Sequence, residues 1–270
     1  MIIALPIGPE EDKYMINKAY VEYLKTAGYD PLLVAPENNP KFIAKLADGL
    51  LLPGGRDIDP IFYGEDNWAS SWCDADKDEF ERNLFWAFAP TGKPIFGICR
   101  GFQLIAREYI HNNQDLVVRK AKDSEITVPD RLIFEQHIDD HSQTEFFKIA
   151  RRRASHYVVA RDDLLYGGEQ KIPNFVSVNS MHHQYLHLDR EDHQLYTNTK
   201  VTPHVWATAW TSRGLSKKDT GVVCEGFLIR GWTPSEIAGV QWHPEEMMDI
   251  QLIQHHFGAA REKALDASKR

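Results

Sequence analysis

Short apolar runs alternate with longer amphipathic stretches through the first hundred residues. Ile2-Ile3-Ala4-Leu5, Leu32-Leu33-Val34-Ala35, Leu50-Leu51-Leu52 and Pro94-Ile95-Phe96-Gly97-Ile98 read as strands. They are continuously apolar rather than alternating, which marks strands buried on both faces. Residues 11–27 place Tyr14, Ile16, Tyr20, Val21 and Leu24 near helical spacing, with Gly28 as a stop. Phe42 to Leu46, Asp74 to Ala89 and about Arg100 to Tyr109 read as further helices. Strand–helix alternation of this kind predicts an α/β fold with a mostly parallel sheet and helices on both faces. Function in such folds gathers at the carboxyl ends of the strands. The pattern loosens over about 111–175 and returns at Phe175 to Val178, His204 to Trp210, Gly221 to Ile229 and Ile237 to Trp242. A last helix is predicted from about Met247 to Ala264. No repeat, low-complexity tract or linker breaks the chain, so residues 1–270 are expected to form one domain.

Charge and cysteine usage narrow the function classes. Over 270 residues, 31 Lys and Arg face 39 Asp and Glu, a formal net charge of −8. Such an acidic chain lacks the dense basic surface that phosphate-backbone binding needs, so no nucleic-acid partner is expected. No stretch approaches the roughly 18 apolar residues of a membrane helix. The apolar start has no basic flank and reads as a strand rather than a signal peptide. The expectation is a cytoplasmic protein with no membrane contact. The three cysteines, Cys73, Cys99 and Cys224, are odd in number and far apart, without CxxC spacing. That fits a reducing compartment, with Cys73 and Cys224 inert. His137/His141 and His255/His256 lack a third ligand at recognisable spacing, and no phosphate-binding glycine loop is present. Neither metal nor cofactor is expected. Arg151, Arg152 and Arg153 read as a solvated helix face or as an anion-binding patch.

The most informative stretch is KPIFGICRGFQLIAREY, residues 93–109. An apolar strand runs into Gly97-Ile98-Cys99-Arg100-Gly101 and then a helix, the arrangement of a nucleophile elbow with cysteine in the serine position. Small residues on either side suit so tight a turn. A helix N-terminus beside Cys99 favours the thiolate and leaves backbone N–H groups where an oxyanion would form. A buried structural cysteine in a strand-to-helix turn is the competing reading. A nucleophilic thiol needs a base, and Ile237 to Glu245 supplies a candidate: an apolar strand delivers His243, Pro244 fixes the turn, and Glu245 can reach back to the ring. With twelve histidines in the chain, the strand-His-Pro-Glu setting is what singles His243 out.

GICRG followed by GVQWHPE resembles the class I glutamine amidotransferase fold, a flavodoxin-like three-layer sandwich with a Cys-His-Glu triad. LLPGGRDIDPIFYGE (51–65) and VNSMHHQYL (178–186) further resemble its stand-alone branch, the peptidase C26 family of gamma-glutamyl-gamma-aminobutyrate hydrolase-like enzymes. The resemblance implies Cys99 as nucleophile, His243 as general base then acid, and Glu245 as the orienting carboxylate. It implies an oxyanion hole from the Gly54-Gly55 turn, through Gly55, and from the Arg100 N–H. Arg56, Asp57, Gln103, His182 and His183 become substrate-pocket candidates, while turn capping is the alternative for Asp57 and Asp59 and a structural loop for the histidine pair. The implied activity is cysteine-dependent hydrolysis of a small-molecule gamma-glutamyl amide through a glutamyl thioester. The alternative is a glutaminase component feeding ammonia to a synthetase partner; a homodimer is also open. The sequence departs from the family where small residues and a glycine pair are usual, placing Arg107 and Glu108 there. That stretch borders the active-site face, so it bears on the leaving amine.

Overall fold

The computed structural model describes residues 1–10, 12–63, 66, 73–113, 132–136, 156–169, 171, 173–179, 184–188, 195–196, 198–211 and 222–258. The chain opens with β1 (Ile2–Pro6), a small hairpin of β2 (Gly8–Glu10) and β3 (Lys13–Met15), α1 (Lys18–Thr26) and β4 (Asp30–Val34). Then come α2 (Pro40–Leu46), β5 (Gly49–Leu52), α3 (Ala75–Phe88), β6 (Ile95–Ile98) and α4 (Arg100–Asn112). β7 (Leu132–Gln136), β8 (His156–Arg161), β9 (Pro173–Val178), β10 (Gln184–Leu188), β11 (Val205–Thr211), β12 (Val222–Ile229) and β13 (Ile237–Val240) follow, and a helix occupies 250–258.

All strands except β2 and β3 join one 11-stranded sheet whose main path runs β4-β1-β5-β6-β13-β12-β11-β8-β9. The first five of these strands are parallel, as their unbroken apolar runs predict. From β12 onward the pairing is antiparallel, and β10 joins β12 and β7 beside the main path. Alternate side chains feed two cores. Ala4, Leu50, Leu52 and Ile95 pack with Ile43 of α2, Leu84, Phe85 and Phe88 of α3, and Phe102 and Ile105 of α4. Ile3, Leu5, Leu51, Phe96 and Ile98 pack on the other face with Tyr23 and Leu24 of α1 and with Leu252, Ile253 and Phe257. Helices therefore cover both faces of the parallel half. Among the described residues no helix is long and apolar enough to cross a membrane.

The helix expected over residues 11–27 is shorter. The β2–β3 hairpin takes up its first part, and Tyr14 and Met15 lie exposed on it rather than in a core-facing stripe. α1 starts where Asn17 caps it, accepting the Ala19 N–H at 3.0 Å. β13 likewise ends at Val240; the Gln241 N–H still donates to the Glu225 carbonyl of β12 at 2.8 Å, but residues 241–243 do not extend the strand. β7 and β8 fall in the irregular stretch, and β10 between the strands expected at Val178 and His204, where the pattern predicts none.

The β6–α4 turn is held by close backbone approach. A Cβ on Gly101 would lie 2.2 Å from the Leu52 carbonyl oxygen, and one on Gly97 would lie 2.6 Å from the Gly101 carbonyl carbon. Both obstacles are backbone, which cannot rotate away. Gly101→Ala is therefore expected to destabilise the protein by about 3 kcal/mol, seen as a drop of roughly 5–10 °C in Tm. An unchanged Tm would show that α4 does not press on β5 as described.

Candidate active site

Three neighbouring parallel strands end side by side, and each carries one part of the site. β5 pairs Leu52 with Gly97 of β6, and β6 pairs Ile98 with Val240 of β13. Beyond these ends lie Gly54-Gly55, Cys99 and Gln241 to Glu245 respectively. Cys99, buried as the first residue past β6, has φ 50° and ψ −105° and immediately precedes α4. This positive φ in a non-glycine residue is the strained turn expected of an elbow, a cost of about 1–3 kcal/mol carried by the surrounding structure. The Cys99 N–H donates to the Val240 carbonyl at 2.8 Å, tying the elbow to β13.

His243 arrives opposite. Its Nδ1 lies 2.7 Å from Glu245 Oε1, while its backbone N–H donates to Asn179 Oδ1 at 2.9 Å. With Nδ1 engaged, Nε2 is left for the sulfur. A Cβ on Gly54 would come 2.8 Å from His243 Cε1 and 3.4 Å from the Cys99 Cβ, so the glycine loop packs against both groups. Burial alone pushes the imidazole pKa down, but the Glu245 carboxylate and the adjacent Cys99 outweigh it and hold His243 well above its ordinary value. The stability this pairing gives is complete below about pH 6.5 and is lost as pH rises through the raised folded value. Glu245→Gln removes the charge and leaves the burial, so the His243 pKa is expected to fall, read by NMR titration of its ring in a Cys99→Ala background. An unmoved titration would mean that Glu245 does not set the charge on the ring.

Other groups brace this pair. Tyr20 from α1 is buried; its Oη accepts the Gly54 N–H at 2.8 Å and lies 3.5 Å from His243 Nδ1. Burial, with Glu245 and Cys99 nearby, keeps the phenol protonated. Gln241 Nε2 donates to Cys99 Sγ at 3.7 Å, and Gln103 Nε2 donates to Gln241 Oε1 at 3.2 Å. Gln103, a pocket candidate by sequence, is thus buried under Gln241. The Arg100 N–H opens the first turn of α4, where no helical carbonyl reaches it. Its side chain passes beneath Gly55, whose Cβ position is 3.4 Å from Arg100 Cδ, and pairs with Asp78 and Glu81 of α3, all three buried.

The loop after Gly55 is tied down from beneath. Asp78 Oδ2 accepts the Asp59 N–H at 3.0 Å, and Asp59 Oδ1 accepts the Ile61 N–H at 3.1 Å, the turn-capping role open to it. Arg107 donates to the Phe62 carbonyl at 2.8 and 2.6 Å and pairs with Glu108, which also accepts from Trp86 Nε1 at 2.6 Å. The charged pair that departs from the family pattern therefore fastens the segment behind the glycine loop. Arg56 is exposed and Asp57 half-buried on that loop; His182 and His183 lie outside the described residues, as do Arg151 to Arg153. All three cysteines are free. Cys224 is buried, which pushes its thiol pKa up, and the Cys73 thiol is pushed up to about 11 by burial and by Asp59, Asp57 and Asp78. Sequence reasoning missed Tyr20, Asn179, Gln241 and the Asp78–Glu81 pair. Gln241 and Asn179 sit inside quoted motifs, whereas Tyr20 looked like part of an ordinary apolar stripe.

The peptidase C26 family model matches residues 8–245. The chain belongs to the peptidase C26 family. A Schizosaccharomyces pombe protein named as a candidate glutamine amidotransferase is 26% identical over 252 residues, covering 93% of this chain and 81% of that protein. Protein NtpR of Enterococcus hirae is 29% identical over 220 residues, covering 79% and 74%. Among solved structures, the glutaminase domain of Trypanosoma brucei CTPS with bound acivicin superposes with a TM-score of 0.53 at 15% identity, covering 97% of this chain and 94% of that one. A Thermoplasma acidophilum protein described as a GMP synthase component gives a TM-score of 0.57, also at 15% identity, covering 100% and 98%. The fold is thus the class I glutamine amidotransferase α/β sandwich.

Proposed function

We propose that the protein hydrolyses gamma-glutamyl amides of small amines or amino acids, with Cys99 as nucleophile, His243 as base then acid, and Glu245 orienting the ring. The observation that carries this reading is the meeting of a strained, helix-preceding cysteine with a carboxylate-anchored histidine at adjacent strand ends. Cys99 Sγ attacks the gamma-carbonyl carbon as His243 takes the thiol proton. The tetrahedral oxyanion faces the backbone N–H groups of Gly55 and Arg100, each worth on the order of 3 kcal/mol to such an intermediate. The C–N bond then breaks, the amine leaves with the proton from His243, and a glutamyl thioester remains. Water, deprotonated by His243, attacks the thioester; glutamate leaves and the thiol regains its proton. Assaying a panel of gamma-glutamyl amides should show glutamate and free amine released in equal amounts. No release from any member, with Cys99 still fully alkylatable, would overturn the reading.

A second reading is favoured by the names of the relatives: a glutaminase that passes ammonia to a separate synthetase, bound to it permanently or in passing. It predicts weak release of ammonia from free glutamine that rises when the partner binds. Co-purification followed by an ammonia assay with and without the bound protein separates the two readings.

A further inference from the structure

Lys77 stands in the first turn of α3 with its side chain only 13% exposed. A Cβ built on Gly55 would come 2.8 Å from its Nζ, and one built on Gly8 would come 3.0 Å from it. Two glycines, one opening β2 and one in the loop after β5, therefore leave open the space that this ammonium occupies, and a side chain at either would have to displace it. Arg100 takes up Asp78 and the Oε2 atom of Glu81. The carboxylate oxygen that remains near Lys77, Glu81 Oε1, is 3.9 Å from Nζ, too far for a hydrogen bond. The three donors of the ammonium thus make no hydrogen bond among the described residues. Burial lowers the pKa of Lys77, the cost of a cation with little water around it. Gly55 follows Gly54, whose own Cβ position abuts His243 Cε1 and the Cys99 Cβ. The thiol and imidazole therefore lie against Gly54 and the ammonium, beside the Arg100 methylenes, against Gly55, the next residue of the loop.

We infer that Lys77 is the anion subsite of this pocket, taking the carboxylate of an acyl donor whose amide carbonyl lies at Cys99. The inference rests on the gamma-glutamyl reading, in which the donor's alpha-carboxylate sits a few bonds from the scissile carbonyl and needs a cation inside the pocket. Arg56 lies exposed, whereas Lys77 lies against Gly55, where a ligand carboxylate supplies the hydrogen-bond partner that the described residues do not. A charge-assisted hydrogen bond of this kind is worth about 10- to 100-fold in affinity.

The test compares alkylation of Cys99 by iodoacetate and by its uncharged counterpart iodoacetamide, with the modified peptide identified by mass spectrometry. The acetate-to-acetamide rate ratio at Cys99 should exceed the same ratio for free cysteine. It should fall by about tenfold in Lys77→Met and be largely kept in Lys77→Arg. A wild-type ratio no higher than that of free cysteine overturns the inference without any variant, which covers the case in which Lys77→Met does not fold. A ratio unchanged in a folded Lys77→Met also overturns it and leaves Lys77 as a counter-ion for Glu81. In steady state, Lys77→Met should raise KM for a gamma-glutamyl anilide about 10- to 100-fold, with kcat kept and with KM for the alpha-carboxamide analogue unmoved. Equal rises for both anilides overturn the subsite. If neither anilide is cleaved by the wild type, the gamma-glutamyl reading fails on its own, and the alkylation ratios still decide the role of Lys77.

Discussion

Cys99→Ala is expected to reduce glutamate release by about ten-thousand-fold or more, because in the proposed mechanism the nucleophile and its base act as one unit and no second group replaces the sulfur. The same logic predicts that His243→Asn costs a comparable factor. Combining the two should cost little beyond either alone, since each already removes the covalent route. Stability should behave differently. Alanine adopts the φ of 50° no less readily than cysteine, and losing one buried sulfur leaves only a small void, about 1 kcal/mol. Glutamate release and thermal melting measured on the same preparations separate the two effects. Activity within tenfold of wild type for Cys99→Ala would remove Cys99 from the mechanism.

Arg100→Met is expected to destabilise the fold by about 3–5 kcal/mol, the effect of stripping the partner from buried carboxylates. Arg100 is 2% exposed, Asp78 3% and Glu81 0%, so water cannot take over the pairing. The Asp78 pKa is already raised, burial outweighing the pull of Arg100. Without the guanidinium it rises further, so the folded variant binds more protons than the unfolded chain. Its stability then falls as pH rises through that value, and the deficit against wild type should shrink between pH 7 and pH 5. Denaturant melts at the two pH values read this directly. A deficit that does not depend on pH would mean that packing, not charge, holds α3 to α4. Because Asp78 also holds the Asp59 N–H, the variant should loosen the glycine loop as well and lose turnover.

How much of the site was legible in advance follows from the range of the interactions. GICRG and GVQWHPE each encode a local event, a strand end followed by a forced turn, and short-range sterics are readable from residue type: Gly97 and Gly101 for close approach, Pro244 for the break. That is why Cys99, His243 and Glu245 could be named as candidates from the chain alone. Gln103 could be named too, but not placed, because its amide is turned inward by Gln241, a residue more than a hundred positions away. Tyr20 carried no signal, since a phenol in an amphipathic stripe looks like core until the loop it holds is seen.

The chain's own pattern determined the strand and helix alternation, the parallel half of the sheet and which thiol, imidazole and carboxylate are the candidates, because hydrophobic periodicity and turn sterics act over a few residues. Only the tertiary structure decided that β5, β6 and β13 lie side by side, and so that Gly54, Cys99 and His243 come into contact. It also decided that the Arg100 side chain braces α3 and that Lys77 comes to rest beneath Gly55. Those placements depend on strand order and on buried charges finding partners across the fold, and both are settled by packing and desolvation between segments that are distant in the chain.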